Sequence, residues 1–82
     1  MKQIQPVSIW QNGQTKEATV LNAYVVSDNL IDTATFYYAL LTDNNEQLSE
    51  GNLTMSGEDY KGFVSNDYAY NWIAKELKLQ IL

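Results

Sequence analysis

Three groups of residues in this sequence are of types that do chemistry. Asp43-Asn44-Asn45-Glu46 clusters oxygen ligands of the kind a hard cation takes. An EF-hand calcium loop, however, spaces its ligands at alternate positions and adds a glycine and a distant Glu. Here the glycine is absent and the segment is too short, so a solvated hairpin turn is expected, because Asp and Asn favour turns intrinsically. Glu58-Asp59 is a carboxylate pair such as general acid–base catalysis uses. Neighbours on a helix diverge by about 100° and do not face one substrate atom. Charges that complement a helix start are the better account of this pair.

The third group is aromatic: six Tyr, two Trp and two Phe in 82 residues. Phe36, Tyr38 and Trp72 are expected to fill a small core. Trp10, Tyr37, Tyr60, Phe63, Tyr68 and Tyr70 are too many for one face of so small a domain, so some are expected at the surface. Exposed Tyr and Trp are enriched in protein–protein contacts. These six are therefore the candidates for an interaction surface. Aromatic faces also stack on sugars, which leaves a carbohydrate-binding module using Tyr37, Tyr60 or Tyr70 as an alternative.

The composition excludes much else. The chain has no histidine, no cysteine and one proline, and its five basic residues are all lysine against ten Asp plus Glu, a net charge of -5. Without His and Cys, the Ser-His-Asp, Cys-His and zinc-water mechanisms are absent, as are disulfides and ordinary structural zinc. No cofactor or metal is implied, and no enzyme is expected. Arginine grips phosphate and reads guanine, and there is none. The scattered Lys2, Lys16, Lys61, Lys75 and Lys78 form no basic stripe, so nucleic-acid binding is not expected. The polar start, Met1 to Pro6, lacks the apolar run of a signal peptide, and no stretch approaches the roughly 18 apolar residues of a membrane span. A soluble, unexported chain without a membrane partner is the expectation.

The elements that must position these residues follow from period and turn chemistry. Ile4 to Trp10 alternates partly and carries Pro6, so it is expected at a sheet edge. Asn12-Gly13 is a hairpin turn signal. Glu17 to Val26 is apolar on both faces, which predicts a central strand covered on both sides. Thr33 to Thr42 alternates cleanly. In Gln47 to Met55, Leu48 and Leu53 have opposite parity, and a bulge at Glu50-Gly51 would bring both to one face. The period then changes. Ser56 with Asp59 resembles a capping box opening a helical turn that ends near Gly62. Ser65 or Asn66 caps a second helix from Asp67 to about Leu77, with Trp72, Ile73 and Leu77 as its buried stripe. Leu79 to Leu82 is expected to add a short last strand. The chain is thus a single α+β domain spanning residues 1–82: a small antiparallel sheet of three to five strands in a meander, one short helical turn, then a C-terminal amphipathic helix packed on the sheet.

A domain of this size buries only about 60% of its unfolded surface, so association is a natural source of extra stability.

The ordered residues also resemble small structural proteins of tailed bacteriophages. The resemblance runs through Pro6-Val7-Ser8-Ile9-Trp10-Gln11-Asn12-Gly13, then Asp28-Asn29-Leu30 and Ala34 to Leu40. It continues through Leu48 to Tyr60 and ends on Asn66 to Ala74 followed by Leu77. Phe63 stands where such sequences often carry a tryptophan. The resemblance implies a non-enzymatic virion component of head, neck or tail, bound to other virion proteins and to copies of itself. It implies a location in the virion, and in the host cytoplasm during assembly. Either Ile4–Trp10 or the Leu79–Leu82 tail is expected to offer an edge to a neighbouring chain. A second alternative is a small acidic inhibitor of a host protein that mimics nucleic acid through Glu58, Asp59 and Asp67.

Overall fold

Asn12 and Gly13 both hold positive φ, 52° and 82°, as a two-residue type I′ turn requires. They fold β1 (Lys2–Gln11) back on β2 (Gln14–Asp28) in a computed structural model that describes all 82 residues. β3 (Thr33–Leu41) and β4 (Gln47–Ser56) complete an antiparallel meander in the order β1-β2-β3-β4. Two helices follow, α1 (Gly57–Lys61) and α2 (Asn66–Leu77). The α+β architecture is the expected one.

β2 is the organising strand. Its first half pairs with β1, from Gln14 opposite Gln11 to Leu21 opposite Lys2. Its second half pairs with β3, from Val20 opposite Leu41 to Asp28 opposite Ala34. The two neighbours are staggered along fifteen residues, which draws the molecule out to 43 × 23 × 18 Å. The stagger also corrects one expectation. β2 is covered around Ala18, Val20 and Leu21, but beyond Leu21 it has β3 on one side and no strand on the other. Tyr24, Val25 and Val26 are consequently exposed rather than covered on both sides.

Pro6 lies on the outer strand, where the register slips between Gln3 and Val7. A residue without an N–H is tolerated at such an edge or bulge. The tail lies alongside this edge. Ile81 bridges Ile4, the Gln5 N–H donates to the Gln80 carbonyl at 2.8 Å, and the Leu82 N–H donates to the Gln3 carbonyl at 3.0 Å. The tail is thus one bridge rather than a strand, and it buries Ile4 fully. Two segments expected to offer themselves to neighbours are partly spent on each other.

In β4 both leucines do reach the main core, but by another route. The ladder with β3 is regular through Gly51, and the irregularity falls at Leu48, between Gln47 opposite Leu41 and Ser49 opposite Leu40. Gly51 answers a different need. It faces Tyr38, and an added Cβ would meet the Tyr38 hydroxyl at 2.6 Å. The ring occupies the space a side chain would take.

Ser56 precedes α1 in extended backbone but makes no side-chain capping bond, so the expected capping box does not form. Ser65 does cap α2, its hydroxyl accepting the Tyr68 N–H at 3.1 Å. α2 buries Ala69, Ile73 and Ala74, while Trp72 and Leu77 are half-buried. The buried stripe is therefore shifted from Trp72-Ile73-Leu77 toward two alanines. Small side chains on that face let the helix lie close to the sheet. Against it stand Ile4, Leu21, Phe36, Leu40 and Met55, the main core. The opposite sheet face holds a smaller cluster of Val20, Ala39 and Leu41, with Tyr37 against it.

Candidate functional site

The acidic turn after β3 is tied back to β2. The Glu46 carboxylate accepts from Lys16 Nζ at 2.7 Å, and Asp43 accepts from the Thr19 hydroxyl. Thr42 Oγ1 accepts the N–H groups of Asn44 and Glu46, and Asn45 sits at φ 66°. The two carboxylates thus serve different residues of β2. Glu58 pairs with Lys61 at 3.1 Å, while the Asp59 carbonyl accepts from the Tyr68 hydroxyl at 2.9 Å.

The six aromatic candidates do not converge on one surface. Trp10, at the β1–β2 hairpin, is the one that is mostly exposed, at 74%. Tyr37 lies half-buried on the open sheet face, its ring 5.1 Å from that of Tyr24. Its hydroxyl donates to Glu50 at 2.6 Å, and that bond, with some desolvation, pushes its pKa up to about 12. Tyr60 donates to Asp28 Oδ1 at 2.8 Å, which likewise raises its pKa. Phe63 stacks edge-on against Phe36 at 5.4 Å and against Tyr60 at 6.4 Å. Tyr68 reaches back over α1. Tyr70 spans from α2 to the sheet, where its hydroxyl accepts the Ala23 N–H and donates to the Ala23 carbonyl, both at 3.1 Å. Lys2 lies 5.9 Å from the Tyr70 ring centroid and pairs with Asp67 at 2.8 Å; that ion pair raises the Lys2 pKa and lowers that of Asp67.

Exposed aliphatic and aromatic residues concentrate elsewhere. Met1, Tyr24, Val25, Val26, Leu30, Ile31 and Val64 are all strongly exposed and lie at the end of the molecule where β2 outruns β1. Beside them is a groove of about 310 Å³, nine of whose ten lining residues are hydrophobic, Val25, Phe36, Phe63 and Ile73 among them. A scattered apolar residue needs no explanation, but a contiguous apolar patch marks a contact site. Tyr24 belongs to this patch and was not among the sequence candidates, because alternation within β2 does not reveal where β1 stops.

The loop at this end is well built. Asn29 Oδ1 accepts the N–H groups of Ile31, Asp32 and Thr33 at 2.9–3.0 Å, and Asp28 Oδ1 accepts that of Leu30 at 2.8 Å. The resulting turn holds Leu30 at φ 61° with 82% of its surface exposed. The left-handed conformation costs a non-glycine residue roughly 1–2 kcal/mol. An exposed leucine there does nothing for the core, so it fits a role at the surface.

No family model matches this chain, nor does any curated protein or solved structure.

Proposed function

We propose that this chain is a non-enzymatic structural component of a tailed-bacteriophage particle and acts through protein–protein contacts. The observation that carries the contact role is the set of seven exposed large hydrophobic residues toward the end where β2 outruns β1, three of which, Met1, Tyr24 and Val25, line the apolar groove. The surface there is rigidly presented, because Asn29, Asp28 and Tyr60 fix the neighbouring loop by hydrogen bonds. The phage context is drawn from the resemblance in residues Pro6–Gly13, Asp28–Leu40, Leu48–Tyr60 and Asn66–Leu77. A many-copy virion protein needs such a surface and needs no chemistry of its own.

Mass spectrometry of purified virions, with copy number, tests the proposal. The expected result is many copies per particle; a chain absent from particles overturns it. Deletion variants serve less well. The tail and β1 hydrogen-bond to each other, so truncation after Leu77 would unfold the edge before it could report on assembly.

A further inference from the structure

We infer that the groove between α2 and β2 docks an amphipathic helix of a partner protein, one whose apolar stripe carries lysine or arginine at its edge. The inference rests on reading this end as a contact surface and is independent of the phage context.

The groove is built before any partner arrives. Beyond Leu21 β1 no longer flanks β2, and α2 is fastened there by Tyr70, whose hydroxyl takes both backbone groups of Ala23 at 3.1 Å. What stays open is about 310 Å³, lined by Val25 on the strand, by Ala69 and Ile73 on the helix, and by Phe36 and Phe63. Such a volume and lining suit a few apolar side chains. Walls already held in place cost little to order on binding.

The backbone decides the form of the occupant. An extended segment would need a ladder, and β2 does not offer one here. The Ala23 groups are committed to Tyr70, and the register with β3 breaks between Val25 and Ser27. A helix satisfies its own N–H and C=O groups and needs only side-chain contact. Anchors at i, i+3, i+4 and i+7 present one apolar stripe to such a groove. A compact ligand confined to the groove would leave the exposed Val26, Leu30 and Ile31 uncovered, whereas a helix runs on past it.

Charge decides the flank of that helix. Phe63, in the groove lining, has the Tyr60 ring at 6.4 Å, and the Tyr60 hydroxyl donates to Asp28 at 2.8 Å. Asp32 closes the same loop, accepting from Asn29 Nδ2 at 2.9 Å. Neither carboxylate is in an ion pair. Lys2 and Lys61 are already paired, with Asp67 and Glu58, and Lys75 and Lys78 lie past Ile73 toward the other end of α2. Two carboxylates are thus left without a lysine on this side. Lysine or arginine on the partner answers them. Anionic lipid, nucleic acid and a second copy of this chain, at -5, are repelled.

Nuclear magnetic resonance on the full chain tests the inference with three synthetic peptides of about 15 residues, long enough to be helical. One carries leucine at i, i+3, i+4 and i+7 flanked by lysine. The second replaces each lysine by glutamate, and the third keeps the lysines but scatters the leucines. The first should bind with a Kd on the order of 100 μM and shift the amides of Val25, Phe63 and Ala69. The second should bind at least about 10-fold more weakly in roughly 0.05 M salt, and the gap should close toward about 1 M. The third should leave those amides unmoved. Val25→Lys, at an exposed position of the groove wall, should abolish the shifts. Asp32→Asn should shrink the preference for lysine over glutamate while the leucine contact persists. An unchanged circular dichroism spectrum would show that each variant folds. Equal binding of the first two peptides at low salt, shifts that miss the groove, or no binding up to about 1 mM overturns the inference. So does binding indifferent to Val25→Lys, or neutral phosphatidylcholine vesicles that move the same amides where the peptides do not. Peptide binding by a chain absent from virions overturns the proposed function alone. Abundance in virions without peptide binding overturns this inference alone.

Discussion

The Tyr37 hydroxyl donates to the Glu50 carboxylate at 2.6 Å and also reaches Gln47 Oε1 at 3.3 Å. Ionising Tyr37 would destroy the first bond and set a phenolate beside a carboxylate, so the fold favours the neutral phenol. Its pKa is raised from 10.0 to about 12. A group raised in the folded state contributes stability that is whole below its unfolded pKa and is lost as pH rises through the folded one. The window here is pH 10.0 to about 12. Tyr37→Phe should remove one tyrosinate from the part of an absorbance titration near pH 12, and Glu50→Gln should return that ionisation toward 10.0. An unchanged amplitude near pH 12 in both variants would mean the bond is not made in solution. The same residue shows how a surface tyrosine becomes unavailable as a contact: it is half-buried and its hydroxyl is already committed.

At the scale of elements, α2 ends by a left-handed residue that is not glycine. Lys78 has φ 58°, its N–H donates to the Lys75 carbonyl at 3.2 Å, and the Leu79 N–H donates to the Ala74 carbonyl at 2.8 Å. This is the bonding of a Schellman ending, in which glycine escapes the Cβ penalty. Lys78 is exposed and in no ion pair. Lys78→Gly should therefore stabilise the protein by about 1 kcal/mol in urea unfolding; a loss of stability would show that the ending is not left-handed. Local elements of this kind were largely legible in the residues. Asn12-Gly13, the alternation of Thr33–Leu41 and the Ser65 cap each act over a few positions, and each has its expected structure. What escaped depends on pairing far along the chain. The stagger of β2 follows from where β1 ends, and the slip at Leu48 from the register with β3. The bridge from Ile81 to Ile4 follows from the course of α2. The candidate site suffered most from this. Tyr24 to Val26 have the sequence of a covered strand, and their exposure is set by the length of a neighbour.

The whole molecule balances a small core against a long outline. Fourteen residues are buried, none of them polar, and the largest fully buried aromatic at the centre is Phe36. It pairs with Val25 on β2 and Leu53 on β4, and its ring meets Phe63 at 5.4 Å and Trp72 at 6.1 Å. One side chain thus joins the central strands, the segment after α1 and α2. A domain of this length has a total stability of roughly 4–12 kcal/mol, and removing a core phenylalanine costs about 3–5 kcal/mol. Phe36→Ala should lower the melting midpoint by roughly 15 °C or more, measured by circular dichroism. A drop below about 5 °C would mean that sheet and helices hold together without it. Since Phe36 also floors the groove beside β2, its loss should loosen the exposed end as well.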